Sequence, residues 1–189
     1  MTRSTYKEMQ VPTLIVVAGP PASGKTTLAR QLALALRMPL ICKDTLKESL
    51  FDHLAAADRA WSQRLGRAVI QCMYALAEEI LGSGASLILE STFVHPRTPG
   101  ELDRLAESTG ARLFVVYCYA APEVLSRRFN ERSRTTRHPG HHDRPTTTAA
   151  ELIARGWLER PDYPGTVLPV DTTHWDALDV PALVRQLGG

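Results

Sequence analysis

One octapeptide narrows what this chain can be. Gly19-Pro20-Pro21-Ala22-Ser23-Gly24-Lys25-Thr26 fits the pattern G-x-x-x-x-G-K-[ST] in full. Its surroundings carry as much weight as its letters. Before it, Thr13 to Ala18 holds the continuous apolar run Leu14, Ile15, Val16 and Val17, the pattern of a strand buried on both faces of a parallel sheet. After it, Leu28, Leu32 and Leu36 recur every four residues from Lys25 to Leu36, which predicts an amphipathic helix. A strand, a glycine-rich turn and a helix in this order make a cradle for phosphate. The glycines let backbone N–H groups converge on anionic oxygens, and the start of the helix adds the positive end of its dipole. Lys25 is long enough to reach the β- and γ-phosphates of ATP, and the Thr26 hydroxyl is a ligand suited to Mg2+. Residues 19–26 and Thr27 are therefore the expected nucleotide-binding residues. A chance glycine-rich turn is the competing explanation, and the flanking elements argue against it.

The rest of the chain alternates in the same way. Further strands are expected at Pro39–Cys42, Ser86–Glu90, Arg112–Tyr119 and Val167–Val170. Helices are expected at Thr45–Ala56, Arg59–Leu81, Glu101–Ser108, Pro122–Ser133, Ala149–Leu158 and Pro181–Leu187. Within the longest, Leu65, Val69, Met73, Leu76 and Ile80 form the expected apolar stripe, closed by Gly82-Ser83-Gly84. The pattern predicts a three-layer α/β fold, a five-stranded parallel sheet with helices on both faces. A length of 189 residues suits one domain, with a polar tail over 1–11 and a lid over about 127–148.

Charge is nearly balanced, 22 basic residues against 20 acidic, which excludes a general electrostatic grip on nucleic acid or membrane. The excess is local. Arg127, Arg128, Arg132, Arg134, Arg137 and Arg144 stand against Glu131 and Asp143, in a window that also holds His138, His141 and His142. As an arginine-rich lid, this segment brings guanidinium groups to where charge builds up in phosphoryl transfer. A solvated arginine face and a nucleic-acid patch are the competing readings. Arg128 and Arg132 lie at i, i+4 on one helical face, which favours the lid. Phe129 alone interleaves with the cations, where a nucleic-acid platform needs several aromatic rings. The stretch from Arg134 to Thr148 reads as a mobile loop. His138-Pro139-Gly140-His141-His142-Asp143 resembles a metal site in composition, but the Pro-Gly interruption argues for a polar loop or a lid contact. Cys42, Cys72 and Cys118 are odd in number, widely spaced and without a CxxC, so a reducing cytoplasm is expected rather than a disulfide framework. No apolar leader is visible in residues 1–10, and no run approaches the ~20 residues of a membrane helix.

Open α/β sheets bind ligands at the carboxyl ends of their strands, and two acids are expected there. Asp44 follows the second strand. It suits a general base for an acceptor hydroxyl, with a helix N-cap as the compatible structural role. Glu90 ends the third strand, where it would contact the acceptor, order water around Mg2+ or simply bond nearby backbone. Asp171, ending the fifth strand, stands either near the adenine or as a turn cap.

With these residues in place, the chain resembles the AAA-type P-loop kinases. That group includes polynucleotide 5′-hydroxyl kinases, chloramphenicol phosphotransferase and zeta-toxin-like kinases. The resemblance rests on Gly19 to Thr27, Lys43 to Ser49, Leu89 to Phe93 and Pro122 to Arg132, in order over about Leu14 to Val170. It implies that Asp44 is the catalytic base and that Arg128 and Arg132 meet nucleotide phosphates. It also implies that Lys47 and Glu90 face the acceptor, where polynucleotide kinases carry arginine and aspartate. Lysine keeps the charge but loses the bidentate fork. The expected function is transfer of the γ-phosphate of ATP, with Mg2+, to a hydroxyl of a small-molecule or nucleoside-like acceptor. A polynucleotide 5′-hydroxyl kinase and an ATPase switch acting on a protein partner remain the alternatives.

Overall fold

The first strand, β1 (Thr13–Ala18), is buried along its whole length, as its uninterrupted apolar run requires. In the computed structural model, which describes residues 11–54 and 58–188, β1 is the centre of a five-stranded parallel sheet. Of the tail expected over residues 1–11, residues 1–10 lie outside the described residues, as does the end of the helix expected to reach Ala56. The other strands are β2 (Leu40–Cys42), β3 (Leu87–Glu90), β4 (Arg112–Tyr119) and β5 (Thr166–Asp171), in the spatial order β2-β3-β1-β4-β5. Among the described residues seven α-helices pack around them: α1 (Lys25–Leu36), α2 (Lys43–His53), α3 (Arg59–Gly82), α4 (Thr98–Thr109), α5 (Pro122–Thr135), α6 (Ala149–Ala154) and α7 (Val180–Gly188).

Alternation along β1 divides the core in two. Leu14, Val16 and Ala18 pack with α3 and α4 through Leu65, Val69, Met73, Leu102 and Leu105. Ile15 and Val17 pack with α1 and α7 through Leu28, Ala29, Leu32, Leu183 and Leu187. The expected three-layer, all-parallel architecture is present. The buried stripe of α3 is Leu65, Val69, Met73, Ala77 and Leu81, and the expected member Leu76 is 46% exposed. Each four-residue step advances about 40° around the axis, so the buried stripe slants along α3, following the surface it packs on, and leaves Leu76 outside it. Among the described residues no helix is long and apolar enough to cross a membrane.

Register positions the functional edge. Val17 pairs with Glu90, and Cys42 pairs with the same Glu90. The carboxyl ends of β1, β3 and β2 are therefore level, and the chain leaves all three on one rim. The layer that carries α1 supports this rim directly. Leu32, fully buried, is its test: Leu32→Ala is expected to cost about 2–5 kcal/mol. A lower urea midpoint at unchanged m-value would register the loss.

Candidate active site

The loop after β1 has the backbone that its glycines allow. Gly19 and Gly24 have φ of 136° and 77°. A Cβ at Gly19 would strike the Cys118 carbonyl oxygen, and one at Gly24 would come within 2.8 Å of the Trp175 ring. No side chain caps the N-terminus of α1, and its first turn holds no acid. Its leading N–H groups are thus left for an anion. Just after β5, at the same rim, the Thr172 hydroxyl donates to the Ser23 carbonyl at 3.0 Å. Lys25 is buried and donates to the Pro20 carbonyl at 2.6 Å. Burial lowers its ammonium pKa, and the charge of Glu90 opposes that shift.

Glu90 and Thr26 form the second part of the floor. The Thr26 hydroxyl donates to Glu90 Oε2 at 3.2 Å. Glu90 is 4% exposed, and burial raises its carboxyl pKa against the pull of Lys25. Of the roles weighed for Glu90, bonding to nearby backbone is not what the structure displays; the carboxylate meets a side-chain hydroxyl at the cradle.

Above this floor lies a cavity of about 450 Å³, lined by Gly24, Lys25, Thr26, Thr27, Arg128 and Arg132 among others. Helix α5 delivers both arginines. Arg128 Nη2 donates to the Thr172 and Thr173 carbonyls at 3.0 and 3.3 Å. Its Nη1 is buried without a hydrogen-bond partner, and so is Arg132 Nε. Buried guanidinium nitrogens without acceptors are uncommon, and phosphate oxygens are acceptors of the right kind. Arg127, Arg134 and Arg144 are exposed. Asp171 accepts from the Thr173 N–H at 2.8 Å, so it closes its own turn.

A smaller cavity of about 280 Å³ adjoins the first, lined by Lys43, Asp44, Lys47, Arg59 and Glu90 among others. Asp44 lines both cavities. It is not the N-cap of α2, because the helix already begins at Lys43 and Cys42 precedes it as cap. Lys47 is buried, and its Nζ donates to the Ser62 hydroxyl at 2.7 Å.

The segment after α5, which the sequence presents as a mobile loop, is docked. Arg137 Nη1 donates to Asp44 Oδ2 at 2.7 Å, and Arg137 Nε donates to Asp143 Oδ2 at 2.8 Å. His141 Nε2 lies 2.8 Å from Glu48 Oε1, and His138 Nε2 lies 3.0 Å from Asp52 Oδ1. Asp44, Glu48 and Asp52 stand on successive turns of α2, one acid per turn, each meeting one base of the lid. Gly140 sits in a 3-10 turn, Pro139–His141, with its carbonyl accepting from Ser62 at 2.6 Å. A Cβ there would come within 2.6 Å of the Phe51 ring. Arg137 carries no sequence motif; its role shows only when the two distant segments meet.

Asp44, Glu48 and His141 also present ligand atoms within 4.8 Å of one another. Their surroundings oppose a cation. Burial holds His141 down at about 3, and the nearby charges of Arg137, Lys47 and Lys43 push in the same direction. These groups are better described as hydrogen-bond and ion-pair partners that dock the segment after α5, with His141 as a neutral ring against Glu48 and Arg137 as the charge against Asp44, than as a metal centre. Burial alone would raise the Asp44 carboxyl, but Arg137, Lys43 and His141 outweigh it and hold the carboxyl well below the usual range.

A buried strand, a glycine-rich cradle, a strand-end carboxylate and a cluster of arginines meet at the carboxyl edge of the sheet. Residues 14–155 match the model of the AAA domain family, and the chain belongs to that family. An uncharacterised protein of Mycobacterium tuberculosis (strain H37Rv) is 31% identical over 149 residues, which is 75% of this chain. The chain spans 29% of that relative's length. Among solved structures, a candidate kinase from Chloroflexus aurantiacus is 39% identical, with a TM-score of 0.86 over 95% of this chain and 98% of that one. Kti12 from Chaetomium thermophilum, solved with ADP-AlF3, is 28% identical, with a TM-score of 0.59 over 92% of this chain and 94% of that one. The fold and the phosphate cradle are those of the P-loop kinases.

The lid contacts predict an acid-sensitive fold. Native Asp44 and His141 both bind protons less readily than in the unfolded chain, with His141 at about 3 against 6.5. Stability therefore falls as pH drops below about 6.5, because the unfolded state takes up more protons. Urea midpoints measured from neutral pH downward are expected to decline, and His141→Gln to flatten the upper part of that decline. A wild-type profile without slope in this window contradicts the assignment.

Proposed function

We propose that this chain transfers the γ-phosphate of ATP to a hydroxyl of a small-molecule or nucleoside-like acceptor, with Asp44 receiving the hydroxyl proton. The observation that carries the reading is the position of Asp44, which lines both the larger cavity at the cradle and the smaller one beside it. A nucleotide in the first and an acceptor in the second would meet at this carboxylate. In the proposed step the acceptor oxygen forms a bond to the γ-phosphorus. The bond from that phosphorus to the β,γ-bridging oxygen breaks, ADP leaves with the electron pair, and the proton passes to Asp44.

The chain's own residues have distinct tasks in this scheme. Lys25 and the backbone N–H groups of Gly24 to Thr27 hold the β- and γ-phosphates. Arg128 and Arg132 place their unpartnered nitrogens against the same oxygens. The Thr26 hydroxyl and the Glu90 carboxylate, 3.2 Å apart, are oxygen donors that fit Mg2+, which keeps part of its water shell in such sites. When bound, Mg2+ neutralises charge on the phosphates. Lys47 and Glu90 line the acceptor side. A reducing, cytoplasmic setting accords with the free thiols of Cys42, Cys72 and Cys118.

Asp44→Asn is the decisive substitution. With γ-labelled ATP, Mg2+ and a panel of hydroxyl acceptors, it is expected to lower phosphate transfer by about 10²–10⁴-fold while leaving ATP binding intact. If ATP turnover is unaffected by the change and no acceptor accelerates it, a nucleotide switch replaces the kinase reading.

A further inference from the structure

The residues that follow β5 hold the nucleotide cradle without lining its larger cavity. Thr172 is one residue past the strand and is fully buried. Its hydroxyl lies 3.0 Å from the Ser23 carbonyl and 2.9 Å from the Tyr119 carbonyl. A hydroxyl has one hydrogen to donate. The Tyr119 carbonyl already accepts from the Thr172 N–H at 2.8 Å, so the hydroxyl hydrogen goes to Ser23.

The peptide gripped in this way is the one that enters Gly24. In a planar trans peptide the C=O and the N–H point in opposite directions. Drawing the Ser23 carbonyl toward Thr172 therefore turns the Gly24 N–H the other way, on the residue that opens α1 and lines the larger cavity. Nothing in Gly24 itself fixes that orientation. Without a side chain, and with φ at 77°, glycine leaves the adjoining peptide freer to rotate than other residues would. The hold comes instead from Thr172, 149 residues away in the chain. The same residue also reaches α5. Its carbonyl accepts from Arg128 Nη2 at 3.0 Å, on the guanidinium whose Nη1 is buried without a partner. One residue at the rim thus sets cradle and arginine against each other.

We propose that Thr172 is a positioning residue for the nucleotide phosphates. Its hydroxyl sets the Ser23–Gly24 peptide so that the Gly24 N–H faces the β-phosphate, and its carbonyl seats Arg128 with Nη1 toward the same phosphates. This role goes beyond the acceptor chemistry and rests only on the cradle being the nucleotide site. A Ser23–Gly24 peptide released from Thr172 can rotate and turn a carbonyl oxygen toward the anion, which repels it. The loss then falls on the β-phosphate and spares the adenosine half of the nucleotide.

The test compares wild type, Thr172→Val and Thr172→Ser, with ADP and AMP each displacing a methylanthraniloyl derivative of ADP in the presence of Mg2+. Valine keeps the branched shape and removes the hydroxyl. Thr172→Val is expected to weaken ADP at least about tenfold and to leave AMP within about twofold of wild type. Thr172→Ser, which keeps the hydroxyl, is expected to restore ADP binding. Urea midpoints read stability separately. A lower midpoint for Thr172→Val with unchanged ADP affinity shows a merely structural role and overturns the inference. Equal losses for ADP and AMP, or a serine variant as weak as valine, overturn it as well. Hydrogen exchange at the Gly24 amide tests wild-type protein without any substitution. Protection by saturating ADP and not by saturating AMP is expected, and equal exchange in both overturns the inference. Wild-type protein that binds no ADP refutes the nucleotide cradle itself, whereas the other adverse outcomes refute only the role of Thr172.

Discussion

Lys25 places an ammonium group at the floor of the cradle with 7% of its surface exposed, and the site is arranged around that charge. An ion taken out of water needs nearby opposite charge and hydrogen bonds, or its burial costs several kcal/mol. Glu90 supplies part of the charge, and it does so because the β1–β3 register sets it level with the loop. The Pro20 carbonyl supplies the hydrogen bond. Thr26 then ties Glu90 to the first turn of α1. What this arrangement lacks is acceptors for Arg128 Nη1 and Arg132 Nε, which a triphosphate provides. The cradle is compensated from below and open to an anion from above.

The proposed base sits under a constraint of its own. Arg137 holds Asp44 as a carboxylate of low basicity, so Asp44 accepts a proton weakly before the reaction begins. Phosphoryl transfer tolerates this, because its transition state is loose and the attacking hydroxyl becomes strongly acidic only as its bond to phosphorus forms. Orientation then matters more than basicity. Arg137 fixes one oxygen of Asp44 and is itself held by Asp143, so docking of the lid and aiming of the carboxylate are one event.

Features determined by neighbours in the chain were legible in the sequence. The motif Gly19–Thr26, the five strands and most helices depend on local pattern, and the structure places them within a few residues of expectation. Asp44 and Glu90 follow from strand ends for the same reason, whereas Lys43 was not singled out as a functional residue. The docked lid was not legible. Arg137 and Asp44 are 93 residues apart, as are His141 and Glu48, and no local periodicity links them. The stretch from Arg134 to Thr148 looks mobile by composition because its ordering forces come from Phe51, Ser62 and the acids of α2. Leu76 shows the limit within a helix, where the choice between three- and four-residue steps depends on the surface it meets.

Helix α2 joins these observations. Its sequence KDTLKESLFDH carries two interleaved stripes, Lys43 and Lys47 on one and Asp44, Glu48 and Asp52 on the other. One residue of offset turns a side chain by about 100° around the axis, enough to send the stripes to different neighbours. The acidic stripe meets the lid through Arg137, His141 and His138. The basic stripe meets α3 at Gly66 and Ser62, and there it lines the smaller cavity. Both stripes belong to one rigid helix, and Ser62 touches both sides, accepting from Lys47 and donating to the Gly140 carbonyl of the lid. The wall of the smaller cavity and the docked segment after α5 are thereby joined through a single hydroxyl.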